Sequence, residues 1–368
     1  MIAGDTVEGK SDAPVRLEDL GYDEFFESNR KELGLDNYLV ARVIAEYRGA
    51  YRVKDPGAEY LSEITGRQMF NALSREDYPA VGDWVAVSRL DGERAVIHGV
   101  LPRKTVLKRK YSDRFEVQVI ASNIDVAFVI ESVDRDYNLN RFERYLAIAR
   151  DSDIRPVIVL NKIDLISGTE LEKKTAQVRA RLGNIDFIPT SAVLEGGTQG
   201  ISERILGGRT CCFLGSSGVG KSSLINKLLG EDAIKTDEIS AHTGKGRHTT
   251  TSREMYFPPG GGIVIDNPGM REIGMTDTGA GVEEVFEEIA ALAAGCRFKD
   301  CSHTHEPGCA VREAIESGGL DGAAFLNYTR LKKETEYYEM SGLERRNKNR
   351  QFGKYVKRVK KERKELGP

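Results

Sequence analysis

Gly215-Ser-Ser-Gly-Val-Gly-Lys-Ser222 stands between an apolar run, TCCFL (210–214), and a stretch of helical spacing that opens at Lys221. The pattern G-x-x-x-x-G-K-[ST] in a strand-to-helix context has a mechanical reason. Its glycines let the chain wrap a phosphate, successive backbone N–H groups point inward, and the helix N-terminus adds partial positive charge. Gly215, Ser216, Ser217, Gly218, Val219, Gly220, Lys221, Ser222 and Ser223 are therefore candidate nucleotide contacts. Lys221 is expected to bridge the β- and γ-phosphates, and the Ser222 hydroxyl to ligate Mg²⁺. A strand, such a loop and a helix place the chain in the α/β class.

Upstream, DVAFVIES, RFERYLAIARDS, PVIVLNKID, LEKKTAQVRARLG and DFIPTSA alternate strand-like and helix-like texture. Near-continuous apolar strands separated by helices indicate a parallel sheet covered on both faces. Asn161-Lys162-Ile163-Asp164 follows one of these strands, at the carboxyl end where open α/β sheets bind ligands. The Asp164 carboxylate can accept from guanine N1–H and the exocyclic amine, a donor pair that adenine lacks. Asn161 would tie this loop to the phosphate loop, and the Lys162 stem would cover the base. Ser191-Ala192 is similar to the short backbone element that touches guanine O6. A third element, Asp266-Asn-Pro-Gly269, ends the apolar run GIVI. Asp266 is placed to hold Mg²⁺ through water, and the Gly269 N–H to contact the γ-phosphate. In the intervening loop, AHTGKGRHTTT, one of Thr249, Thr250 and Thr251 can close on Mg²⁺, Thr250 being preferred. Met270 stands where Ras-like enzymes carry a glutamine, so hydrolysis is expected to be slow alone, on the order of 10⁻⁴ s⁻¹. His248 is the local candidate for positioning the water. The NKID and SA elements both precede the phosphate loop, NKID by about fifty residues, the reverse of the common order. The arrangement resembles a circularly permuted GTPase.

Outward from this centre the texture changes. Residues 37–110 hold short β-rich runs divided by turn residues, LVARVIAEY, AYRVK, EYLSEIT, GDWVAVS and RAVIHGV. Five strands at that spacing fit an OB-like barrel. The basic run 102–110 is either its phosphate contact or a linker. Residues 1–36 read as a polar extension with a weakly amphipathic patch, and 111–281 as the permuted nucleotide-binding domain. From 282 the chain reads as helical around a Cys/His cluster, with a basic tail. In all, 368 residues with 40% apolar and 30% charged composition describe a globular protein of two or three domains. No apolar run approaches the ~18 residues of a membrane span, and MIAGDTVEGK does not read as a secretory signal. A cytoplasmic location is expected. The net charge of −3 conceals a segregation: 344–368 carry eleven Lys or Arg against three Glu, +8 net, leaving −11 elsewhere. A basic tail on an acidic body suits a polyanionic partner or a solvated helix.

Five cysteines are too few for a disulfide scaffold. Cys211 and Cys212 belong to the strand entering the phosphate loop. Cys296-x₄-Cys301-x-His303-x₅-Cys309 supplies three thiolates and an imidazole, the set of a closed structural zinc site, with His305 the competing imidazole.

With VGDWV, NKID, GSSGVGKSSL, GKGRHTTT, DNPGMRE and CRFKDCSHTHEPGCAV in this order, the sequence resembles the ribosome small-subunit-dependent GTPase A family from about residue 37 onward. The resemblance implies an OB-fold, a circularly permuted P-loop GTPase domain and a helical zinc-binding domain, and docking on the small ribosomal subunit and its 16S rRNA late in maturation. It also implies slow GTP hydrolysis stimulated by the subunit, and a monomer carrying one structural Zn²⁺ and Mg²⁺ with GTP. DNPG departs from the more usual DTPG. Two other readings predict different behaviour: a GTP-dependent RNA-binding scaffold, and an assembly GTPase of the large subunit.

Overall fold

The computed structural model of the chain describes residues 15–47, 49–90, 92–110, 117–134, 137–230, 234, 253–266 and 279–340, with Glu344, Asn347 and Arg350. His248, Thr250, Gly269 and most of the basic tail lie outside the described residues.

Helix α1 (Glu24–Glu32), capped by the Asp23 carboxylate on the Phe25 N–H, precedes five strands. These are β1 (Leu39–Glu46), β2 (Tyr51–Lys54), β3 (Glu59–Ile64), β4 (Trp84–Arg89) and β5 (Arg94–Val100), with helix α2 (Gly66–Asn71) between β3 and β4. They close in the order 1-2-3-5-4-1, with β3 and β5 parallel and β1 and β4 antiparallel, as the OB-like reading expects. Val53, Tyr60, Val85, Val87 and Ile97 fill the interior. The segment expected to be a polar extension contributes to this fold. Leu20 (1% exposed), Tyr22 and Phe26 cover Trp84 in a second cluster with Val40 and Leu101, and the rings of Tyr22 and Trp84 meet edge to face at 4.8 Å.

Strands β6 (Val106–Lys110) and β7 (Val117–Ser122) form a two-stranded sheet, so pairing crosses the boundary expected at 110. Of the basic run 102–110, Arg103, Lys104 and Lys108 are engaged by partners within the protein. Arg103 grips the buried Asp83 carboxylate (2.7 and 2.8 Å) and the carbonyls of Glu76 and Tyr78. Lys104 pairs with Asp23, and Lys108 with Glu76 at 2.6 Å. A guanidinium holding a carboxylate and two carbonyls has few donors left for a ligand.

The α/β sheet follows, with β8 (Val126–Ser132), α3 (Leu139–Asp151), β9 (Arg155–Asn161), α4 (Gly168–Leu182), β10 (Phe187–Pro189) and α5 (Gln199–Ser202). Then come β11 (Thr210–Leu214), α6 (Lys221–Leu229), β12 (Glu254–Tyr256) and β13 (Ile263–Asp266). The spatial order is β10-β9-β8-β11-β13-β12, all parallel except β12. Numbered from β11, which enters the phosphate loop, this order reads 6-5-4-1-3-2. The last three strands of that count come first in the chain, which is a circular permutation. Every residue of β8 and β11 is buried, and both strands are apolar apart from Glu131 and Ser132 at the end of β8 and Thr210 at the start of β11.

The barrel and the α/β sheet belong to one compact unit. Ala45 of β1 pairs with Glu254 of β12, making one sheet of eleven strands, and Arg253 meets Glu46 at 3.1 Å. Arg42, 1% exposed, donates to the carbonyls of Leu20, Gly82 and Asn123, joining the N-terminal segment, the barrel and the chain leading to β8. At Gly82 (φ +97) a Cβ would sit 2.1 Å from the Ser122 carbonyl oxygen, so the VGDWV turn requires glycine.

The second unit contains α7 (Ala280–Val285), α8 (Glu287–Ala293), α9 (Ala310–Glu316) and α10 (Gly322–Glu339). Its core includes Val282, Phe286, Ile289, Val311, Tyr328 and Leu331. Among the described residues no helix is long and apolar enough to cross a membrane.

Candidate nucleotide and metal sites

Parallel strands deliver their carboxyl ends to one edge of a sheet. β8, β9, β10, β11 and β13 therefore bring Ser132, Asn161, Pro189, Leu214 and Asp266 to the same edge, although the sequence separates them widely. The phosphate loop leaves β11 there and feeds α6. Gly220 (φ +96) caps α6, and a Cβ on it would stand 2.4 Å from the Asn161 amide nitrogen, so only glycine fits. Lys221 Nζ donates to the carbonyls of Gly215 and Ser216, both at 2.7 Å, which keeps its charge on the loop. Ser222 is half-buried and Ser223 exposed at the start of α6.

Asn161 is 1% exposed. Its amide donates to the Val219 carbonyl at 2.8 Å, while its Oδ1 accepts from the Thr190 hydroxyl at 3.2 Å. Because Thr190 occupies the oxygen, the NH₂ faces the phosphate loop, and the two loops are tied. Lys162 is left-handed (φ 62, ψ 36) and its ammonium meets Asp134 at 2.7 Å, with Asp134 also bonded by Ser132. The Ser191 hydroxyl donates to Asp164 Oδ1 at 2.5 Å and accepts from the amides of Val193 and Leu194. That fixes one Asp164 oxygen. Ala192 packs on the central core, and Asp266 ends β13, half-buried, next but one to β8.

Spacing alone did not single out Asp134, Thr190 or Arg141. Arg141, on α3, donates to the Ser216 hydroxyl at 3.1 Å and lies 3.7 Å from the buried Glu131 carboxylate. It thereby ties α3 to the phosphate loop.

In the second unit the ligating atoms of Cys296, Cys301, His303 and Cys309 all lie within 4.8 Å of one another. Cys296 Sγ is 3.5 Å from His303 Nδ1 and 3.9 Å from Cys309 Sγ, and His303 Nδ1 is 3.4 Å from Cys309 Sγ. Tetrahedral zinc bonds imply S···S and S···N edges of about 3.8 and about 3.6 Å, so the donor set fits that ion. His305 is exposed, and its Nδ1 meets the Thr304 hydroxyl instead. Burial, with help from Lys332, holds the His303 imidazole below its ordinary value, which favours the neutral form that ligates. Burial pushes Cys212 up to about 12 and Cys211 well up, so both are inert core thiols.

A parallel sheet with a phosphate loop and an NKxD element in permuted order, an OB-like barrel on its edge strand and a Cys₃His cluster define the class of circularly permuted GTPases. Residues 100–276 match the RsgA GTPase family model. The chain is 42% identical over 336 residues to the small ribosomal subunit biogenesis GTPase RsgA of Opitutus terrae, covering 88% of this chain and 90% of that one. It is 37% identical over 357 residues to the RsgA 2 protein of Vibrio vulnificus, covering 97% and 98%. The crystal structure of YjeQ from Thermotoga maritima superposes with a TM-score of 0.59 at 25% identity, covering 80% of this chain and 98% of that one. YloQ, a circularly permuted GTPase, shares the fold with a TM-score of 0.57 at 23% identity, covering 83% and 97%. The chain belongs to the RsgA family of GTPases. With 97% of the chain aligned to the Vibrio vulnificus protein, only about 11 residues remain outside, so the likeness extends well beyond the start expected near residue 37.

Proposed function

We propose that this chain hydrolyses GTP to GDP and phosphate on the small ribosomal subunit and acts late in that particle's maturation. The observation that carries the reading is the convergence of the phosphate loop, the Asn161–Asp164 element, Ser191 and Asp266 on one sheet edge. Asp164, oriented by Ser191, accepts from guanine N1–H and the exocyclic amine, with the Ala192 backbone beside O6 and the Lys162 stem across the base. Such a site rejects a nucleotide without those donors by ~10⁴. The backbone amides of 215–223 receive the phosphates, and Lys221 offsets charge between the β- and γ-phosphoryl groups. Ser222, Thr250 and Asp266 would hold Mg²⁺, which would supply charge neutralisation on the phosphate oxygens. The Gly269 N–H meets the γ-phosphate, and His248 positions the water. Zn²⁺ at the Cys₃His cluster is structural, since four protein donors leave no open position.

The small-subunit partner is supported by the names of the relatives. Contact with 16S rRNA, a monomeric state and a cytoplasmic location complete the reading. Single-turnover GTP hydrolysis with and without purified subunits is the test. Stimulation by small subunits and not by large ones is expected. Absence of stimulation would favour the scaffold, and stimulation by large subunits alone the large-subunit factor. His248→Ala is expected to lower the stimulated rate by about 10² or more with subunit binding intact, and full turnover would remove His248 from the mechanism.

A further inference from the structure

We propose that the turn 297–300, between the first two cysteines of the zinc cluster, is a stacking platform for an unpaired RNA base. Phe298 is the platform, and Arg297 and Lys299 are its cationic flanks. The identity of the RNA rests on the ribosomal reading above. Phe298 is 41% exposed, whereas Phe286, Ile289 and Tyr328 of the same unit are 5%, 1% and 7% exposed. The Arg297 guanidinium lies over the Phe298 ring, 5.6 Å from its centroid, and both Arg297 and Lys299 are exposed.

The turn is short and held at both ends. Cys296 and Cys301 belong to the four-donor cluster, the Arg297 N–H donates to the Gly308 carbonyl at 3.0 Å, and the Cys301 N–H donates to the Phe298 carbonyl at 3.3 Å. An aromatic ring displayed on a pinned turn loses little freedom when it binds, so little ordering cost offsets the contact. An exposed ring with a guanidinium over one side and a second exposed cation next in the chain matches a nucleobase and its phosphates, and only an unpaired base offers its face. The turn also carries exposed Asp300, so its net charge is only +1. Stacking, rather than charge alone, must therefore carry recognition.

The experiment uses the full chain with two probes, purified small ribosomal subunits and a labelled unstructured oligoribonucleotide, with zinc content measured for each variant. F298A is expected to weaken both complexes about tenfold, the range of one base–aromatic stack. F298W should bind like the parent, and F298L, of similar bulk but without a π face, like F298A. Intrinsic GTP hydrolysis should be unchanged throughout. If F298A loses zinc, the comparison of F298L with F298W decides alone. Binding by F298L within about twofold of the parent on both probes overturns the platform and leaves the ribosomal reading standing. Failure of the parent to bind subunits, with ring-dependent oligoribonucleotide binding, overturns that reading and supports the platform. Binding of neither probe by the parent overturns both.

Discussion

In the proposed site, the choice of base falls to Asp164. Its carboxylate accepts from the Ser191 hydroxyl, itself held by two backbone amides, so the acceptor is oriented before any ligand arrives. Asp164→Asn replaces an acceptor by a donor. GTP affinity is expected to fall by ~10²-fold or more while xanthine nucleotide, whose edge offers an acceptor there, gains affinity. Equal GTP affinity in a competition assay would show that Asp164 does not read the base. At this scale the proposed ligand-facing residues can be picked out from sequence, because N-K-x-D and the phosphate loop are local spacings of side chains on single turns. Their supports were not legible. Asp134 holds Lys162 across 28 residues, Thr190 holds Asn161 across 29, and Arg141 holds Ser216 across 75. No local spacing records such pairs, since the parallel crossovers create them.

Helix α1 was readable only in outline. Its adjacent Phe25 and Phe26 suit either face of a helix, and the fold decides between them: Phe26 is 1% exposed against Trp84, and Phe25 is 39% exposed. Phe26→Ala is accordingly expected to destabilise the first unit by about 3–5 kcal/mol, seen as a lowered denaturation midpoint. A loss below ~1 kcal/mol would mean that the N-terminal segment does not help hold the barrel. Strand β12 teaches a related lesson. SREMYFP reads as a strand, but nothing in its three paired residues announces that its outer edge takes β1 rather than solvent. An exposed strand edge is a hazard that a neighbouring barrel can cover, and here the Arg253–Glu46 pair accompanies that cover.

Across the whole molecule, two units rest on different physics. The first is held by apolar clusters in the barrel, under the N-terminal segment and on one face of the parallel sheet, and the alternate strand residues Ala127, Val129, Ile158 and Leu160 are buried on the other face. Among its described residues the second has few buried side chains, and its four metal donors supplement that small core. Zinc binding of ~10–16 kcal/mol is ample to order such a unit. Chelation is expected to lower helical circular dichroism and expose 279–340 to protease, while guanine-nucleotide affinity stays within about twofold of the untreated protein. Retained helicity after complete zinc removal would sink a structural role for the metal. The sequence by itself determined the motifs of this protein: a phosphate loop, an N-K-x-D loop, a Cys₃His set, and their permuted order, because each is written in short spacings and in their succession. Only the tertiary structure decided that residues 15–36 belong to the barrel, that Arg103, Lys104 and Lys108 of the basic run are engaged internally, and that barrel and nucleotide sheet share eleven strands. Those outcomes depend on which distant surfaces and charges find each other, and a pairing between remote segments leaves no periodicity in either one.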